Sequence, residues 1–242
     1  MDGQSRVLMV VGAHALDAEL MGGPAVIKWT RAGYRAVFVH ATRGERGHRT
    51  KSPAEYTPQL EREMQVAAER MGASVKWMGY PAGAIPDLDV AADDMANLIR
   101  HLRPEVVITH WRGSLHPRHV QTYHNVREGI RRAALRASAD GTVPYAVGAV
   151  YFGENLEDLD GFVPNAYLNI TDVFDQWYAA LETYELFRGG VQAFPYREYY
   201  RTSSIVRGIE AGYPMAKAFM LDAFRVDDLT AMPGALPLDP TV

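Results

Sequence analysis

Short unbroken apolar runs recur along this chain, each followed by a polar, glycine-marked stretch and then a longer amphipathic one. The first run is Val7 to Val11, and a continuous run of this kind reads as a strand buried on both faces. Ala18 to Ala32 then reads as a helix closed by Gly33. Arg35 to His40 is a second buried strand, and a helix is expected from about Pro58 to Met71, stopped by Gly72. Ser74 to Met78 gives a third strand. Val90 to Leu102 gives a helix with Pro104 just beyond it, and Val106 to Thr109 a short buried strand. Further on, Ala146 to Phe152 and Ala166 to Ile170 read as strands, and Asp172 to Phe187 as a helix. Strands alternating with helices at this spacing mean βαβ units, so the fold class is α/β with a mostly parallel sheet flanked by helices.

Such a sheet places ligand sites outside the carboxyl ends of its strands. Two such ends carry metal-ligand chemistry. After the first strand come His14 and Asp17, three residues apart at the start of a helix. By itself this pair carries little information, because Asp17 also fits a helix cap. A second cluster follows the strand at 106–109: His110, His116, His119 and His124 are four of the chain's eight histidines. If His119 meets His14 and Asp17, the three make a two-histidine, one-carboxylate site with open positions, the arrangement of a catalytic Zn2+ centre. A solvated His-rich loop is the plainer alternative. Another polar loop, Ala41 to His48, leaves the second strand at the same edge. Phe194 to Arg207 is rich in Tyr and Arg and suits either a pocket lining or a subunit interface.

Composition narrows the field. The chain has 242 residues, 48% hydrophobic and 22% charged, with a net charge of -4. That charge does not favour nucleic acid or an anionic membrane. No apolar run is long enough to span a bilayer, and the N-terminus lacks a signal-peptide core. There is no cysteine, so any metal must be held by His, Asp or Glu. A cytoplasmic location is the default expectation. No linker or repeat divides the chain, which reads as one domain over 1–242 with a loose, proline-bearing tail over 229–242.

The order strand, A-H-x-x-D (Ala13, His14, Asp17), G-E-x-G (Gly44, Glu45, Gly47), H-P-x-H (His116, Pro117, His119) resembles the PIG-L/LmbE-like family. The resemblance runs across most of the chain, including the segment from Ile205 to Phe219. It implies a Rossmann-like, doubly wound sheet, a zinc-dependent hydrolase removing an acyl group from an N-acylated sugar or similar small polar amide, and a homo-oligomer. Carried over by position, it makes His14, Asp17 and His119 the metal ligands. His116 becomes the histidine that steadies the tetrahedral intermediate or protonates the leaving group, and Glu45 the acidic residue of the second-strand loop.

The chain departs from the family pattern twice. Where the family has the aspartate that activates water, this chain has Leu16, and where the second motif has an aspartate it has Arg118. Leucine cannot accept a proton, and a positioned base is worth roughly 10²–10⁴ in rate. Glu45, His116 or Glu154 are the candidates to replace it. The 4-oxalomesaconate hydratase branch of the family looks similar in the first motif. For its small polycarboxylate substrates, Arg43, Arg112 and Arg118 would supply bidentate partners. A hydratase of that kind is therefore the alternative, and a metal-binding relative without turnover the third reading.

Overall fold

The computed structural model describes residues 6–135, 141–222 and Leu238. Apart from Leu238, the tail expected over 229–242 lies outside the described residues. The elements run β1 (Val7–Gly12), α1 (Asp17–Arg31), β2 (Arg35–Thr42), α2 (Pro53–Arg70), β3 (Ser74–Tyr80), α3 (Leu88–Leu102), β4 (Val106–Thr109) and α4 (Pro117–Leu135). They continue as β5 (Ala149–Gly153), β6 (Ala166–Asn169), α5 (Phe174–Leu181), α6 (Tyr196–Ala211) and β7 (Ala216–Leu221).

The strands form a seven-stranded sheet in the order β3-β2-β1-β4-β5-β7-β6. Pairing from β3 through β5 is parallel, and β7 runs antiparallel to both β5 and β6. The chain leaves β1 in one direction for β2 and β3 and returns beside it as β4, so the order reverses between β1 and β4. That reversal is where a doubly wound sheet opens a ligand crevice.

Both faces are covered, as the unbroken apolar run of β1 requires. Leu8 and Val10 pack with α1, α2 and α5, while Val7, Met9 and Val11 pack with α3 and α4. Three boundaries differ by three residues or more from the expectation. Helix α2 starts at Pro53, because Ser52 and Glu55 form a reciprocal capping box, leaving Pro58 inside the helix. Helix α5 stops at Leu181, and β5 begins at Ala149. The Tyr/Arg-rich segment forms α6, whose Tyr196 and Tyr200 turn inward to the core. Among the described residues no helix is long and apolar enough to cross a membrane.

Candidate metal centre

Beyond Gly12 the backbone turns sharply, with Leu16 at φ 83°, a left-handed conformation that costs a non-glycine residue about 1–3 kcal/mol. The turn folds Asp17 back on its own start: the His14 N–H donates to Asp17 Oδ2 at 2.8 Å. Leu16 itself is buried in the core. On the other strand, Pro117 opens α4 and fixes His119 in its first turn. The His116 ring sits just before, with its Nδ1 accepting the Arg118 N–H at 3.2 Å, so it serves as a cap.

These turns meet. Asp17 Oδ2 lies 3.2 Å from His14 Nδ1 and 3.3 Å from His119 Nε2. Donor atoms around a tetrahedral ion with bonds near 2.0–2.1 Å are spaced roughly 3.3 Å apart, so this trio fits a divalent cation. Two groups of ligand atoms lie within 4.8 Å of one another: His14, His116 and His119, and Asp17, His110 and His119. Hydrogen bonding separates ligands from neighbours in both. His116 accepts at Nδ1, so its neutral ring carries hydrogen on Nε2. His110 Nε2 accepts the Ala13 N–H at 3.0 Å, so its lone pair is taken. His119 keeps Nε2 toward Asp17 because Nδ1 is bonded to Asp158 at 2.8 Å. That leaves His14, Asp17 and His119 as the candidate donors.

The electrostatics agree. Burial alone would raise the Asp17 carboxyl, but the charge of His119 and hydrogen bonds from His119 and His14 hold it well below the usual range. Burial works against charge on His119, yet Asp17 and Asp158 raise it to about 10. Burial beside His119 and His14 pushes His116 down to about 4, leaving it neutral.

Residues 9–130 match the sequence profile of PIG-L, described as GlcNAc-PI de-N-acetylase. The chain belongs to the PIG-L family. It is 29% identical over 218 residues to the 4-oxalmesaconate hydratase of Pseudomonas putida, covering 84% of this chain and 80% of that protein. It is also 29% identical to the mycothiol S-conjugate amidase of Streptomyces coelicolor, over 55% of this chain and 53% of that one. The chain thus spans about half the length of that amidase. Among solved structures, the 4-carboxy-2-hydroxymuconate hydratase of Pseudomonas putida superposes with a TM-score of 0.81 at 23% identity, over 92% of this chain and 98% of that chain. The N,N'-diacetylchitobiose deacetylase of Pyrococcus horikoshii gives 0.76 at 19% identity, over 90% and 84%. These two likenesses establish the shared fold. The relatives are enzymes, and so is this PIG-L member.

The remaining expected residues of this PIG-L chain are placed as follows. Glu45 stands in the loop that abuts His14: Gly44 lies against the His14 ring, and Glu45 Oε1 accepts the Ala82 N–H at 2.7 Å. Its Oε2 is buried without a partner. Arg43 is stacked on Trp77 at 3.2 Å and paired with Glu61. Arg112 lies over Trp111. Arg118 binds Gln121 and the Gly83 carbonyl. Glu154 is paired with Arg207 of α6.

The fold brings here three further residues, Asp158, Glu157 and His110, that belong to no sequence motif. Asp158 bonds both His110 and His119, and Glu157 Oε2 comes 3.6 Å from His119 Nε2. Burial raises the Glu157 carboxyl above its ordinary value, with His119 opposing. The one signal for Glu157 and Asp158 was their place just past the end of β5, and for His110 its place at the end of β4.

Proposed function

We propose that the protein is a zinc-dependent deacylase of an N-acylated sugar or similar small polar amide. The observation that carries this reading is the convergence of three donors, His14, Asp17 and His119, beside a neutral histidine whose Nε2 hydrogen is free to donate. A divalent ion held by that set supplies Lewis acidity toward a carbonyl and acidifies water. Imidazole and carboxylate donors suit zinc, and the absence of cysteine leaves no thiolate alternative.

His116 Nε2–H donates to the acyl oxygen as it gains negative charge, or to the departing amine. Its ring is held for this by the Arg118 N–H at the first turn of α4. Donors fixed in place before the reaction are worth several kcal/mol when aimed at developing charge. Glu45 takes the proton that Leu16 cannot. One of its oxygens is anchored by Ala82 and the other is unpaired. The loop that carries it stands beside His14.

The second reading, a hydratase of a small unsaturated polycarboxylate, is favoured by Leu16 and by the coverage of the Pseudomonas putida hydratase. A panel of N-acetyl sugars and acidic enoates separates the two. Amine release that requires zinc and His116 supports the deacylase. Loss of enoate absorbance without amine release supports the hydratase, and zinc binding with neither overturns both. A cytoplasmic setting and a homo-oligomeric state belong to the same proposal, and sedimentation of the purified chain checks the second.

A further inference from the structure

Asp158 belongs to no motif, yet it is fully buried and uses both carboxylate oxygens. Oδ2 bonds His110 Nδ1 at 2.6 Å, and Oδ1 bonds His119 Nδ1 at 2.8 Å. We propose that Asp158 is a positioning residue that sets the tautomers of both histidines and thereby joins the two halves of the metal site. An ionised carboxylate only accepts, so each Nδ1 must carry its hydrogen. On His119 this leaves Nε2, 3.3 Å from Asp17 Oδ2, as the nitrogen that gives up its hydrogen when a metal binds. On His110 it leaves the Nε2 lone pair for the Ala13 N–H, the peptide beside His14.

A chain of hydrogen bonds therefore runs from the first turn of α4, through the β5 loop and the end of β4, to the turn after β1. The two rings stack with centroids 4.0 Å apart. The loop is fastened from behind. Its Glu154 carbonyl accepts Lys217 Nζ at 2.8 Å, the Glu154 side chain pairs with Arg207, and Leu115 N–H donates to the Glu157 carbonyl at 2.9 Å. Outer partners of metal-ligating histidines fix ring orientation and raise ligand basicity.

An asparagine at 158 breaks this logic, because an amide has one accepting and one donating end. One histidine would have to present a lone pair from Nδ1 and move its hydrogen to Nε2. At His110 that sets N–H against the Ala13 N–H, and at His119 it blocks the atom facing Asp17. The inference rests on the proposed metal reading only where it names His119 a ligand. The hydrogen-bond chain through His110 stands apart from it.

The test is imidazole ¹⁵N–¹H correlation spectroscopy of the full-length protein, metal-free and zinc-loaded, with zinc affinity measured by chelator competition. The expected result is hydrogen on His110 Nδ1 in both forms and on His119 Nδ1 in the zinc form. Asp158→Asn should keep its circular dichroism and bind zinc about 10–100-fold more weakly. Hydrogen on His110 Nε2 in the wild type overturns the inference, as does zinc affinity in folded Asp158→Asn within about twofold of wild type. If wild type takes up no zinc, the metal reading fails by itself. The His110 spectrum of the metal-free wild type then decides the positioning role alone, as it also does if Asp158→Asn fails to fold.

Discussion

His119 Nε2 lies 3.3 Å from Asp17 Oδ2, and both side chains are largely shielded from water. The contact exists only when the turn after β1 and the start of α4 are packed together, so an ion bound between them binds the native state alone. Zinc at about a hundredfold its Kd should stabilise the fold by about 2.7 kcal/mol. For a chain of this size that is a rise in Tm of roughly 5–10 °C. Calorimetry with zinc and after chelation checks it, and His119→Ala should abolish the shift.

His116 stands beside the same donors and has a different role. With its Nδ1 engaged by Arg118, His116→Ala should keep near-wild-type zinc content while turnover falls roughly 10²–10⁴-fold. Elemental analysis beside steady-state kinetics reads both numbers. Loss of zinc in this variant would place His116 among the ligands instead.

Gly44 controls how closely the second loop approaches the first. It has φ 77°, and a Cβ there would come 3.1 Å from the His14 Cβ. Gly44→Ala should cost about 1–2 kcal/mol from the left-handed backbone alone. Because the new methyl presses on a ligand, zinc affinity should fall as well. Urea unfolding and a zinc titration of the same sample measure the two effects.

Lys217 is buried between Trp177 and Tyr200, and burial lowers its ammonium to about 8 from an ordinary 10.5. Between those values the unfolded chain holds the extra proton, so stability rises with pH. At neutral pH both states are protonated and the fold bears the whole desolvation cost. The rise amounts to about 3 kcal/mol across that window. Lys217→Met should flatten it, which urea melts of wild type and variant at pH 7.5, 9 and 10 would show as a converging difference.

How much of this protein could be read from its sequence follows from how local each feature is. The runs at β1, β2 and β4 are apolar because both sheet faces are covered, so composition alone exposes them, and strand ends in such a sheet are where ligands gather. His14, Asp17, His116 and His119 sit at two such ends and were legible for that reason. Antiparallel β7 was not legible, since its pairing depends on β5 and β6 far back in the chain. Arg112 rests on its sequence neighbour Trp111, whereas Arg43 and Arg118 rest on Trp77 and the Gly83 carbonyl, partners about 35 residues away that no local pattern announces. Glu154 likewise met Arg207. The local sequence set which strand ends carry the candidate donors, because strand, turn and first helical turn are fixed by neighbouring residues. Only the tertiary structure decided that Asp158 holds two histidines at once, because hydrogen-bond partners separated by 39 and 48 residues are chosen by packing and leave no local pattern.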